Sequence, residues 1–206
     1  MSIYIIGYGS LFDKKSRQRT LSNVNKIQPI LLNGYERSWN AAENITPTLS
    51  TTYVGVKKND NAYINAIVFE IDQEFLELLD KREFLYTREK VSYDSIQQLG
   101  STHLKISNKD EIWIYVTKEV KFPALKNPII QSYVDTCISG CFEIEEIYKI
   151  EDFADNFVKT TTGWSHYWVN DRIYPRAPHI YQSYAYKIDQ LLYENLKDIY
   201  LKITIE

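Results

Sequence analysis

The chain has 206 residues, a formal net charge of −3 and an apolar fraction of 44%. That length suits one domain with a decoration and buries enough surface to need no metal or disulfide staple. Its 24 basic and 27 acidic side chains form no basic excess of the kind that displaces counterions from nucleic acid or anchors a chain on an anionic membrane.

The N-terminal stretch Met-Ser-Ile-Tyr-Ile-Ile-Gly lacks the basic start and long apolar run of a signal peptide. No window reaches membrane-spanning length, so a cytoplasmic protein is expected. The apolar run 3–8 closes on Gly9-Ser10 and reads as a buried strand entering a tight loop. A short helix is expected at 16–21. Strands at 26–32 and 35–40 are separated by Asn33-Gly34, a hairpin-turn dipeptide. A second strand pair, 53–58 and 63–71, is joined by the polar turn 59–61. Asp72 then caps a short helix whose apolar face is Phe75, Leu76, Leu78 and Leu79, ending near Lys81-Arg82. Strands follow at 86–93 and 111–116.

The second half is helical in pattern. Asn127-Pro128 supplies a cap and a first-turn proline, and Ile130, Tyr133, Val134, Cys137, Ile138 and Cys141 recur at helical spacing. The two cysteines, one turn apart, read as small core residues. The three histidines match no zinc spacing, so no metal is expected. A second short helix is expected at 152–160, with Phe153 and Phe157 on one face. The segment 162–181 is irregular and rich in Trp, Tyr and Pro. Ile188, Leu191, Leu192, Leu196 and Ile199 mark a last helix. A seam falls near 118–127.

Three segments carry candidate chemistry. In Gly7-Tyr8-Gly9-Ser10-Leu11, glycines beside a tyrosine let backbone N–H groups approach a carboxylate or an oxyanion. The same five residues also suit a plain tight turn. In Leu79-Asp80-Lys81-Arg82-Glu83-Phe84-Leu85-Tyr86, Glu83 sits where a helix runs into a strand between apolar residues. A carboxyl group withdrawn from water there has its pKa raised toward the range useful for acid/base work. The bland reading is a solvated helix end, with Lys81 and Arg82 complementing the helix dipole. In Gly34-Tyr35-Glu36-Arg37-Ser38-Trp39, Arg37 and Trp39 share a strand face. Arg37 reads either as a bidentate partner for a substrate carboxylate or as one half of a cross-strand ion pair beside a core tryptophan.

Together these segments resemble the γ-glutamylcyclotransferase-like family, with its ChaC-like and AIG2-like branches. The family's first strand leads into Y-G-S-L or Y-G-S-N, similar to Tyr8-Gly9-Ser10-Leu11. Its central L-D-x-x-E segment, followed closely by tyrosine, is similar to Leu79 through Glu83 with Tyr86. The strand 34–39 is similar to the G-x-x-R-x-F/W strand of ChaC-like members, and Tyr133 with Gly140 to a helix that follows the barrel. Many members place the tyrosine about six residues after the glutamate. Here the gap is three, so a tighter loop is expected.

The resemblance implies an α+β fold: a small mixed β-barrel with flanking helices over 1–120, and a helical, aromatic-rich C-terminal extension over 121–206 packed on the same domain. It implies an enzyme that needs no cofactor and releases 5-oxoproline from a small γ-glutamyl substrate. Glu83 would be the general acid/base, and Tyr8, Gly9, Ser10, Leu11, Tyr86 and Arg37 would contact the substrate. Two alternatives stay open: removal of a γ-glutamyl group from a larger biosynthetic intermediate, and a non-catalytic binding module on the same fold. The aromatic tail 162–181, with Trp164, Trp168 and Arg172, is expected either to wall the pocket of Glu83 or to form a contact between subunits.

Overall fold

The computed structural model describes residues 2–21, 24, 26–46, 49–176 and 183–205. Its centre is β1 (Ile3–Gly7), an apolar strand paired antiparallel with one neighbour and parallel with another. Burial on both faces explains why its sequence is a continuous apolar run rather than an alternation. The antiparallel neighbour belongs to a long hairpin of β2 (Gln28–Thr46) and β3 (Leu49–Ile71).

This hairpin departs from the sequence expectation. Asn33-Gly34 and residues 59–61 do not reverse the chain. The register passes from Asn33↔Tyr63 to Tyr35↔Lys58, so both segments are absorbed as facing irregularities in one bent ladder, with Gly34 at φ +82. Turn-forming dipeptides and bulges need the same backbone freedom, and local sequence does not separate them. The reversal lies instead between Thr46 and Leu49.

Helix α1 (Lys14–Gln18) follows a one-turn 3-10 segment, Ser10–Phe12, and is capped by the Asp13 carboxylate accepting from the Ser16 N–H. Helix α2 (Phe75–Arg82) begins later than the expected Asp72 cap; Asp72 contributes its backbone carbonyl, which accepts from the Phe75 N–H at 3.0 Å. Strands β4 (Tyr86–Lys90), β5 (Ile96–Gln98) and β6 (Glu111–Thr117) come next. β6 runs parallel to β1 and antiparallel to β4, and β5 pairs with β2. The backbone ladder does not close between β4 and the β2–β3 hairpin. Side chains bring the β4–β6 pair and the hairpin together: Lys58 meets Glu89 of β4 at 3.0 Å, the Thr117 hydroxyl of β6 donates to Asn40 Oδ1, and the Tyr86 hydroxyl of β4 donates to the Val54 carbonyl. The result is a mixed, partly closed barrel.

The second half extends the same sheet. β7 (Ile129–Ile130) pairs with β3, and it takes up the residues where a helix start was expected, so helix α3 (Gln131–Tyr148) begins three residues after Pro128. Helix α4 (Phe153–Thr160) leads into β8 (Thr161–Thr162), which pairs with β2; β9 (Trp168–Asn170) pairs with β7. Helix α5 (Ala185–Tyr200) and β10 (Thr204–Ile205) complete the described chain. Among the described residues no helix is long and apolar enough to cross a membrane. Helix α3 is buried along most of its length, and Gly140 lets it meet the loop after β1. A Cβ at Gly140 would lie 2.4 Å from the backbone of Phe12 and Asp13. That contact fixes the loop carrying the first candidate motif.

Candidate active site

The loop after β1, the end of α2 and the first turns of α3 converge on one cleft. An inner chamber of about 30 Å³ is lined by residues that include Tyr8, Gly9, Ser10, Leu11, Glu83 and Tyr86. It opens into an outer chamber of about 200 Å³, which Ser10, Glu83, Tyr86 and Tyr133 also line.

Glu83 ends α2. Its N–H still donates to the Leu79 carbonyl, at 2.8 Å, and its own carbonyl accepts from the Tyr86 N–H at 2.9 Å. Glu83 through Tyr86 therefore form one tight turn, and this accounts for the three-residue gap between the two motif residues. The turn aims both side chains into the cleft. The Glu83 side chain is only 17% exposed and lies 3.1 Å from Arg82 Nε. Burial raises its pKa above the ordinary glutamate value, and the neighbouring guanidinium opposes that rise without cancelling it.

Arg82 is fixed in turn. Nη1 donates to the Ser16 carbonyl at 2.8 Å and to the Thr20 hydroxyl at 3.1 Å; Nη2 reaches the Ser16 and Ser10 hydroxyls. The sequence suggests only a dipole-complementing charge here. The adjacency to Glu83 was visible, but the side-chain path back to α1 is a tertiary fact.

The Gly-rich loop turns sharply. The Phe12 N–H bonds to the Gly9 carbonyl at 2.9 Å, so the N–H groups of Ser10 and Leu11 precede the first bond of the turn and have no acceptor within it. Gly9 does not take a positive φ; a Cβ there would stand 2.7 Å from Val54 Cγ2 and 3.1 Å from the Tyr133 hydroxyl. Its glycine is required by close packing of the cleft walls. The Tyr8 hydroxyl donates to the Tyr115 carbonyl at 2.5 Å, locking the first residue of the loop to β6. Burial pushes the phenols of Tyr8, Tyr86 and Tyr133 well above the ordinary tyrosine range, so all three are neutral donors at physiological pH.

Arg37 is not brought to the cleft. It is fully buried behind the loop and lines neither chamber. Its guanidinium donates to the carbonyls of Tyr8, Asn65 and Phe157, to Asn65 Oδ1, and to the hydroxyls of Thr160 and Thr161, at 2.7–3.2 Å. The expected carboxylate reader is thus a structural clamp, and among the described residues no cross-strand carboxylate pairs with it either. Burial lowers its pKa to about 10, still charged at neutral pH.

The aromatic tail is also placed differently from the pocket-wall expectation. Trp164 packs on Trp39, with ring centroids 5.0 Å apart, and stacks on Trp168 at 5.1 Å; Trp39 meets Tyr133 at 5.9 Å. Trp164 and Trp168 buttress a pocket residue from behind. Arg172 joins Asp135 on α3 to Asp189 on α5. None of the three lines the cleft. Residues 177–182, the end of this segment, lie outside the described residues. Sequence reasoning missed Tyr53 and Glu43 in the outer chamber and Tyr115 in the inner one; only strand pairing across the barrel brings them there.

The comparisons with known proteins agree with this architecture. The family model described as "Gamma-glutamyl cyclotransferase, AIG2-like" matches residues 5–133. No curated protein matches the chain by sequence. Among solved structures, one titled gamma-glutamyl cyclotransferase superposes with a TM-score of 0.56 at 10% identity, covering 94% of this chain and 99% of its own. An uncharacterized Homo sapiens protein gives 0.53 at 11% identity, over 93% and 98%. YkqA from Bacillus subtilis gives 0.50 at 17% identity, over 77% of this chain and 53% of the other. At these identities the structures speak to the fold, and the family match covers more than half of the chain. The chain belongs to the AIG2-like gamma-glutamyl cyclotransferase family and is an enzyme of the cyclotransferase type.

Proposed function

We propose that this enzyme cleaves a γ-glutamyl amide by attack of the glutamyl α-amine on its own γ-carbonyl, releasing 5-oxoproline and the departing amine. The observation that carries the reading is the Glu83 carboxyl, largely withdrawn from water, paired with Arg82 and lining the same chamber as Ser10 and Leu11.

The α-amine is mostly protonated at neutral pH and cannot attack. Glu83 first takes one proton from it, freeing the lone pair that bonds to the γ-carbon; the nitrogen loses its second proton from the tetrahedral intermediate, and the departing amine leaves with both protons as an ammonium group. The carbonyl oxygen becomes an oxyanion, for which the Ser10 and Leu11 N–H groups are the donors this reading assigns. As the carbon–nitrogen bond to the leaving amine breaks, Glu83 returns a proton to the departing nitrogen. Its raised pKa suits both transfers. Nucleophile and electrophile belong to one molecule, so folding the substrate into the cleft supplies much of the rate. The neutral Tyr133 phenol lines the cleft as a donor for the glutamyl carboxylate, while the Tyr86 hydroxyl is committed to the Val54 carbonyl. The reading places the reaction in the cytoplasm, with glutathione among the candidate substrates.

The test is a panel of γ-glutamyl compounds incubated with the wild-type enzyme and with Glu83→Gln, followed by mass spectrometry of 5-oxoproline. The expected result is turnover by the wild type and a loss of about 10²–10⁴-fold in the variant. A variant keeping more than half of the wild-type rate removes Glu83 from the acid/base role.

A further inference from the structure

The residue before Glu83 is tied down more heavily than a helix-end arginine needs to be. A charge that merely complements the helix dipole can stay in solvent. The Arg82 side chain is instead mostly buried, and it joins α1, the loop after β1 and the end of α2. Nη1 donates to the Ser16 carbonyl and the Thr20 hydroxyl, Nη2 reaches the Ser16 and Ser10 hydroxyls, and Nε faces Glu83 Oε1 at 3.1 Å. Both terminal nitrogens are thus committed to protein acceptors, and the plane of the guanidinium is fixed before a substrate arrives. Glu83 Oε2 has no partner among the described residues.

The other groups that face Glu83 bring no positive charge. The phenols of Tyr8, Tyr86, Tyr115 and Tyr133 approach from the loop after β1, from β4, from β6 and from α3, and burial keeps all four neutral at physiological pH. Tyr53 on β3 is neutral as well, its phenol pushed up to about 12 by burial, and Glu43 on β2 lines the outer chamber with the same sign of charge as Glu83. The guanidinium of Arg82 is what offsets the burial of Glu83. A carboxyl in such a place without a counter-charge is driven to its neutral form, which cannot accept a proton.

We propose that Arg82 is a positioning residue for the reaction: its ion pair fixes one oxygen of Glu83 and keeps the carboxyl ionised, so that the other oxygen serves as the base for the α-amine. The inference rests on the cyclotransferase reading above and deepens it, by naming what holds the base in its working form. Through Ser16 and Thr20, α1 becomes part of that support. One rival role is direct capture of a substrate carboxylate, since Arg82 also lines the outer chamber. Another is bracing of α1 alone. Under either rival, the ionisation of Glu83 in the free enzyme does not depend on Arg82.

Arg82→Gln, which removes the charge and keeps a donor, and Arg82→Lys, which keeps the charge and loses the fork, separate these roles. The first measurement needs no substrate: the Glu83 carboxyl resonance is followed through pH by carbon NMR of glutamate-labelled protein, assigned by its loss in Glu83→Gln. The titration is expected to move to higher pH in Arg82→Gln, because losing a neighbouring positive charge favours the neutral acid, and to stay near the wild-type position in Arg82→Lys. The second measurement is kcat and KM against pH with a γ-glutamyl amide. Arg82→Gln should lose roughly tenfold in kcat/KM near pH 6 and clearly less near pH 8, through kcat rather than KM. Arg82→Lys should lose about tenfold in kcat at every pH, because Glu83 is no longer held in place. An unmoved Glu83 titration in Arg82→Gln would overturn the inference whether or not the enzyme turns over. So would wild-type kcat in Arg82→Lys, which also serves if Arg82→Gln fails to fold. A fall carried by KM and equal at all pH values would place Arg82 on the substrate instead. A shifted titration with no 5-oxoproline from the wild type would sink the cyclotransferase reading and leave the control of Glu83 by Arg82 standing.

Discussion

Under the proposed chemistry, Glu83 carries opposite obligations to stability and to activity. Its pKa is raised in the folded protein, so the native state binds its proton more tightly than the unfolded chain does. Its contribution to stability is therefore complete below the unfolded value of about 4.3 and is lost as pH rises through the folded value. Glu83→Gln, which keeps the shape and an acceptor for Arg82, should melt at or above the wild-type temperature at pH 7, and the difference should shrink below about pH 4. Thermal melts at both pH values check this, and a variant clearly less stable at pH 7 would contradict it. Gly9 makes a second test at this scale. In Gly9→Ala the new methyl meets Val54 and the Tyr133 hydroxyl, so the cleft walls must shift. Overpacking of this kind costs about 1–3 kcal/mol and here falls on the site itself. The expected outcome is a folded protein with a lower denaturation midpoint and activity down by more than roughly tenfold, as about 1.4 kcal/mol in transition-state binding would give. Wild-type activity in Gly9→Ala would count against the close packing. Glycine at this position was legible as a motif. The reason for it was not, because Val54 and Tyr133 are 45 and 124 residues away in sequence.

The loop after β1 is clamped at the scale of elements. Arg37 ties the Tyr8 carbonyl to Asn65 on β3, to the end of α4 and to β8. Removing it strands several buried acceptors, each costing about 1–3 kcal/mol. Arg37→Met should destabilise the fold by more than about 3 kcal/mol in chemical denaturation. A rise in KM with unchanged stability would instead return Arg37 to the role of a substrate carboxylate reader. The Arg-x-Trp alternation on one strand face was readable, and both side chains are indeed buried. What the pattern could not reveal is the occupant of that face: α4 and β8 arrive from more than a hundred residues downstream. The same limit explains the hairpin. Asn33-Gly34 satisfies the local rule for a reversal, but the long-range ladder from Gln28 to Thr46 outweighs it.

At the scale of the whole molecule, the strand-rich half and the helical half share one sheet, and the helical half braces the cleft. Arg172 holds Asp135 of α3, whose side chain is fully buried, against Asp189 of α5. Arg172→Ala leaves that buried carboxylate unpaired and should cost about 3–5 kcal/mol, with KM within roughly twofold of wild type because the cleft is untouched. A large KM change without loss of stability would revive a pocket-wall role for the tail. The α+β class, the order of motifs and the position of Glu83 at a helix-to-strand junction were all legible in the chain. The aromatic tail misled because dense Trp and Tyr signal burial against something, and composition does not say which side of Tyr133 they occupy. The central claim is that the γ-glutamyl amide is opened from within, by its own amine. Product analysis in heavy-oxygen water tests it most directly. The account predicts 5-oxoproline carrying no label from solvent; free glutamate with heavy oxygen in its γ-carboxylate would show attack by water and contradict it.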